Sequence, residues 1–191
     1  MPEGAEAGII KGMHLIRRAP DATPKGKRVQ LMGSGAILRE VIAGADLLSA
    51  DFGIEADIWS VTSFTELRRE AQACERWNML HPEEPPKVSF VAQQVSSRGD
   101  APVIASTDYM KLFADQIRQF VPQPYKVLGT DGFGRSDFRK KLRTFFEVDR
   151  HFVAVAALKS LAENQLLPAR TVSEAIKKYG INPDKSDPTR V

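Results

Sequence analysis

Three glycines, Gly129, Gly132 and Gly134, separate a short apolar run from a basic helical pattern in "KVLGTDGFGRSDFRKKLRTFF" (126–146). Glycine permits positive φ and close backbone approach. A strand-to-helix turn also presents N–H groups outward, so such a loop suits an anion. Asp131, Gly132, Gly134, Arg135 and Ser136 are therefore a candidate contact or anion loop. The loop lacks the Gly-Lys-Ser/Thr ending that reaches the β/γ-phosphates and magnesium in a P-loop. Ser136 and Asp137 suit the capping of a helix that starts near Phe138. A second turn, Gly33-Ser34-Gly35, stands where a dinucleotide fingerprint would begin. Leu38 occupies the place of the third glycine, and Val61-Thr62 end the next strand where an acid would hold a ribose. A tight turn is the better reading.

Other reactive side chains are scattered. His14, His81 and His151 share no metal-ligand spacing, and neither His81 nor His151 has a sequence-local carboxylate arrangement that would mark a general base. Cys74 falls in a helical segment among Arg68, Arg69 and Arg76, which would favour its thiolate, although a small core side chain is the commoner role. No G-x-S-x-G elbow occurs. The residues alone predict an α/β domain without a self-contained active site: no catalytic, cofactor-binding or metal-binding residue is assigned.

The 191 residues, 42% hydrophobic and 27% charged, suffice for one compact core. The single cysteine excludes an internal disulfide and suits a reducing, cytoplasmic compartment. No apolar run reaches bilayer length, and "MPEGAEAGIIKG" has no leader character. Net charge is only +3. Most of the densest basic cluster, Arg135, Arg139, Lys140, Lys141 and Arg143, is expected on the solvated side of a helix whose apolar stripe is Phe138, Leu142 and Phe145 or Phe146. Neither a nucleic-acid nor a membrane partner is expected.

Strands are predicted at Arg28 to Gly35, Ala56 to Val61, Pro102 to Thr107 and from Tyr125, all parallel. "GMHLIRRAP" is expected to pair antiparallel with the Arg28 strand. Helical periods follow: Ile37 to Leu48 with Gly53 as the stop, a capping box at Ser63 and Glu66, and a helix to about Met79 ended by "HPEEPPK". Tyr109, Leu112, Phe113, Ile117 and Phe120 are read as one face of an amphipathic helix. The rest is helical from Phe138 to Tyr179. The fold class is α/β: a three-layer α/β/α domain with a mostly parallel mixed sheet of about five strands. Residues 1–27 are expected to be a linker and antiparallel edge strand, 28–181 the domain and 182–191 a tail. Trp77, Met79 and Leu80, at a helix end before the prolines, form a candidate interface. "HFVAVAALKSLA" is apolar on nearly all sides, so it is a core helix or faces another chain.

The ordered stretches "LMGSGAILREV", "SVTSFTELRREAQACERWNMLHP", "ASTDYMKLFADQI", "LGTDGFGRSDFRKKLRTFFEVD" and "VAALKSLAENQLL" closely resemble one family: the C-terminal domain of the homodimeric pyruvate dehydrogenase component, of the transketolase C-terminal type. The resemblance implies a parent that decarboxylates pyruvate on thiamine diphosphate with magnesium and passes the acetyl unit to a lipoyl group of its acetyltransferase. It implies that preceding domains, whose Gly-Asp-Gly…Asn motif is not found here, bind the cofactors. It further implies that Thr130 to Asp137 face those domains or the second subunit. Rival readings are a domain of another 2-oxo acid dehydrogenase and a stand-alone anion- or nucleotide-binding module.

Overall fold

One mixed sheet organises the chain, in the order β1-β3-β2-β4-β5. Its strands are β1 Met13–Arg17, β2 Arg28–Gly33, β3 Glu55–Val61, β4 Val103–Ser106 and β5 Tyr125–Leu128. The structure is a computed structural model and describes residues 3–191. The strands β2 to β5 are parallel to one another, with Leu31 between Ile58 and Ile104. Alternate side chains go to opposite faces. Val29, Leu31, Ile58 and Ile104 pack under one helical layer, while Met32, Trp59, Val103 and Ala105 pack under the other. Both faces are therefore dry, which is why the strands read as near-continuous apolar runs.

The first layer is α2 (Leu38–Phe52), α7 (Arg150–Glu163) and α8 (Ala169–Lys178); the second includes α3 (Phe64–Leu80), α4 (Phe90–Ser96) and α5 (Lys111–Asp115). The remaining helices are α1 (Glu6–Lys11) and α6 (Arg139–Phe145). Val153, Ala154, Ala157, Leu158 and Leu161 of α7 are buried in the first layer, so this apolar helix belongs to the core. Gly53 closes α2 at φ 61°, as its position after the last apolar turn predicts. Ser63 caps α3 by accepting from the Glu66 N–H at 3.1 Å. The reciprocal half of the box is missing: the Ser63 N–H already donates to the Gly12 carbonyl, and the Glu66 carboxylate turns to Arg69. No helix among the described residues is long and apolar enough to cross a membrane.

Two expectations fail. The β1 strand pairs antiparallel with β3, Met13 opposite Val61, and not with the Arg28 strand. Parallel partners take both edges of β2, so the incoming strand has to add at an outer edge of the sheet, and it adds at that of β3. The predicted amphipathic helix from Tyr109 to Phe120 is a five-residue α5 followed by a 3-10 turn, Arg118–Phe120. Ile117 and Phe120 are buried, but Tyr109, Leu112 and Phe113 point into solvent. The apolar spacing was real, but among the described residues its first half packs into neither core, Tyr109 meeting only Phe113 edge-on among the aromatic rings.

The connection from β1 to β2 is held by an ion cluster. The fully buried Asp57 carboxylate accepts from Arg98 Nε at 2.9 Å and from the Ala19 N–H at 3.0 Å, while Arg28 Nε lies 3.8 Å from its other oxygen. Arg98 also donates to Asp21 and to the Ala19 carbonyl. Removing one member leaves the other charge uncompensated in the interior. Asp57→Ala is expected to cost about 3–5 kcal/mol. The double variant Asp57→Leu/Arg98→Met should recover most of that loss; urea unfolding of wild type and both variants checks the pair.

Candidate functional site

The order of the strands reverses between β2 and β4, and in open α/β sheets ligands bind beyond the carboxyl ends at such a point. Here that place is filled from within. The Gly33-Ser34-Gly35 turn leads into a single 3-10 turn, Gly35–Ile37, and Asp108, just after β4, accepts from the Ala36 N–H at 2.9 Å. Gly35 sits at φ 59°, and a Cβ there would collide with the Asp108 carboxylate. An incoming phosphate would meet a like charge and an amide already engaged. Thiamine diphosphate with magnesium does not fit this edge, and among the described residues no three His, Cys, Asp or Glu side chains converge to hold a metal.

The Gly-rich loop is laced to the segment beside it. Gly129 packs so closely that a Cβ would stand 2.7 Å from the Tyr109 carbonyl oxygen. The Thr130 N–H donates to that carbonyl at 2.9 Å, and Asp131 accepts from the Lys111 N–H at 2.9 Å. Gly132, at φ 110°, has the Pro188 carbonyl where a Cβ would go, so residues after α8 brace the loop. Gly134 is different: its φ is ordinary and a Cβ would meet nothing within 4 Å. Ser136 makes no hydrogen bond among the described residues. Asp137 accepts only from its neighbour's N–H, that of Phe138, and α6 starts without a side-chain cap.

The basic cluster divides. Arg135 lies over the Phe145 ring, 4.4 Å from its centroid, and Arg139 and Lys140 are exposed with no carboxylate partner among the described residues. Arg143 is the inward-turned exception in a cluster expected to be mostly solvated: it donates to the buried Glu40 at 2.8 Å. Arg150 adds bonds from its N–H and its Nε to the same carboxylate. Burial alone would raise the Glu40 carboxyl, but the hydrogen bonds from Arg150 and the charges of Arg150 and Arg143 outweigh it and hold it below its usual 4.5. A cavity of about 510 Å³ lies between this helix and the loop, walled by Ile37, Asp108, Phe133, Arg139 and Phe146. Phe133, 81% exposed, stands out from the loop.

The second candidate group lies elsewhere. The helix α3 leaves the carboxyl end of β3 and runs back along the sheet for 17 residues, about 25 Å. Trp77, Met79 and Leu80 therefore end up toward the opposite edge. Trp77 is half-buried, with His81 stacked on it at 4.4 Å and the Lys87 ammonium 4.1 Å from its ring. Met79 and Leu80 are exposed. Asn78 grips Lys87 through both backbone groups, which fixes the proline loop. Cys74 faces Glu70, not the arginines; burial first, and then Glu70, push its thiol up, so the thiolate is disfavoured. The three histidines stay apart, His151 resting against Tyr179. Asp108 and Glu40, the acids that shape the edge, were missed: their partners are 72 and 110 residues away, beyond local spacing.

The family described as the transketolase-like TK C-terminal domain matches residues 12–149. The Pyruvate dehydrogenase E1 component of Pseudomonas aeruginosa is 61% identical over 189 residues, 98% of this chain and 21% of that protein. The corresponding component of Cupriavidus necator is 56% identical over 100% of this chain and 21% of its own length. The chain thus spans about one-fifth of the length of these curated relatives. A solved transketolase from Pichia stipitis has the same fold, with a TM-score of 0.53 and 16% identity over 83% of this chain and 19% of its own.

The two loop glycines should respond differently. Gly132→Ala forces both a strained φ and a clash, and is expected to destabilise the chain by about 1–3 kcal/mol in thermal unfolding, whereas Gly134→Ala should be near neutral. Glu40 supplies a pH test. Because its folded pKa is depressed, its contribution is fully present above about pH 4.5 and is lost as pH falls through the lower folded value. Glu40→Gln should therefore flatten the acid limb of a stability-versus-pH curve while lowering stability at pH 7.

Proposed function

The chain belongs to the transketolase-like C-terminal domain family, and we propose that it is the C-terminal domain of the decarboxylating component of a pyruvate dehydrogenase complex. The observation that carries this reading is the 61% identity sustained over 98% of the chain. The longer polypeptide acts on pyruvate in the cytoplasm, downstream of glycolysis, and passes an acetyl unit to the lipoyl group of the acetyltransferase component. Thiamine diphosphate, held with magnesium by the other domains, supplies the electron sink for decarboxylation. The residues of this chain take no part in that chemistry. Residues 28–181 form the domain proper, with 1–27 leading into it and 182–191 as its tail, and the domain alone is inactive.

Its role is assembly of the parent homodimer. The Asp131, Gly132, Gly134, Arg135 and Ser136 loop is a shaped contact surface, and Met79 and Leu80, backed by Trp77, form a second one. Two features support a contact role over a nucleotide cradle: Asp108 takes the amide a phosphate would need, and Gly132 is braced by the chain itself. Immunoblotting of source-cell extract after sedimentation tests the reading. A band near five times this chain's 21.2 kDa, sedimenting with a very large complex, is expected. A free band at the chain's own mass would overturn it, and phosphate binding lost on Arg135→Ala would then favour the stand-alone anion-binding module.

A further inference from the structure

A cavity of about 700 Å³ opens between α2, α6 and the start of α7, and no residue of the Gly-rich loop lines it. Four permanent cations, Arg139, Lys140, Arg143 and Arg150, stand in its wall beside two carboxylates, Glu40 and Asp149. Both acids are committed within the chain. The buried Glu40 accepts from Arg143 and Arg150 through both of its oxygens. Asp149 caps α7, accepting from the His151 and Phe152 N–H groups with one oxygen and from the Thr144 hydroxyl with the other. Neither balances Arg139 or Lys140, which are exposed with no carboxylate partner among the described residues. The wall keeps an excess of positive charge.

Glu40 also prepares the two arginines. A guanidinium already held by a buried carboxylate has given up rotamer freedom, so binding through its remaining edge costs little further entropy. Arg143 engages Glu40 through Nη1 alone, and Arg150 leaves Nη1 unbonded, so each keeps N–H groups for a second acceptor. Such forked donors match the oxygens of a phosphate. Among the described residues, Leu47 is the cavity's only apolar side chain, and His151, resting against Tyr179, its only ring. An acyl chain or a nucleobase would find little to pack on.

We infer that this cavity binds a small phosphate compound carrying two phosphoryl groups and no large apolar part. Two anchored arginines and two free cations match two such groups. Every wall residue belongs to this chain, so the site stands whatever longer polypeptide carries it.

Equilibrium dialysis of the native polypeptide against radiolabelled pyrophosphate tests the site, with any thiamine diphosphate and magnesium the protein carries kept saturating. One pyrophosphate per chain should bind at low salt with a dissociation constant below about 1 mM. Inorganic phosphate should compete at least about tenfold less well, because it engages one pair of cations and not two. The double variant Arg139→Glu/Lys140→Glu should weaken pyrophosphate binding at least about tenfold, as expected for losing one or two charge-assisted bonds. Both side chains are exposed, so circular dichroism should show the fold unchanged. Arg135→Ala, on the Gly-rich loop, should leave the affinity within about twofold. No binding in this range, equal binding by the folded double variant, loss on Arg135→Ala or equal competition by inorganic phosphate would overturn the site. So would displacement of the label by further thiamine diphosphate, which would put it in a cofactor site. Equal competition by a glutamate-rich peptide would overturn it too, by marking a protein-docking patch. A cellular polypeptide no longer than this chain would end the proposed function and leave this test unchanged.

Discussion

A carboxylate that water does not reach holds the amino half of this fold in place. Asp57 sits inside β3 with no exposed surface, and an isolated charge there would be untenable. It is tolerable because Arg98, Arg28 and the Ala19 N–H surround it. Those contacts recruit three separate segments: the link after β1, the start of β2 and the turn after α4. The arrangement decides how the antiparallel strand enters the sheet and where α4 stops. A neighbouring relay works the same way without charge: the Trp59 N–H donates to the buried Gln30 side chain, which donates to the Val95 carbonyl.

The carboxyl half follows the opposite logic. There the sheet offers the topological position where related architectures bind ligands, and the chain spends it on its own Asp108. Glu40 gathers Arg143 and Arg150, and so fixes α6 and α7 relative to α2. What remains outward is apolar and basic. The position that related architectures leave open for a ligand is here taken by one of the chain's own side chains, consistent with the rule that function resides in the site and not in the architecture.

Local pattern revealed much of this. The apolar strands, the Gly53 stop, the Ser63 cap and the three late helices were all legible, because each depends on residues within a few positions of one another. Pairings across the chain were not. Nothing near Arg98 in the sequence marks its partner, the buried Asp57, which lies 41 residues away. The choice of β3 as partner for β1 depends on which edge is free, a property of the finished sheet. The stripe from Tyr109 to Phe120 obeyed helical spacing, but the segment had too little to bury its first half against. At the loop, glycine spacing announced a constrained turn. It did not announce that Pro188 is what constrains Gly132 while Gly134 is free.

The strand order also bears on how the chain reaches this state. The central strand β2 meets β3 after one helix, but its other neighbour, β4, begins 70 residues after β2 ends. Closing so distant a parallel pair costs loop entropy before any contact rewards it, which slows folding. The β2-α2-β3 unit forms from near neighbours, while β4 and β5 form a second unit. Until Met32 and Ala105 come into register, β2 and β4 each expose an unpaired apolar edge. That interval is when the nascent domain is most open to pairing with the wrong strand.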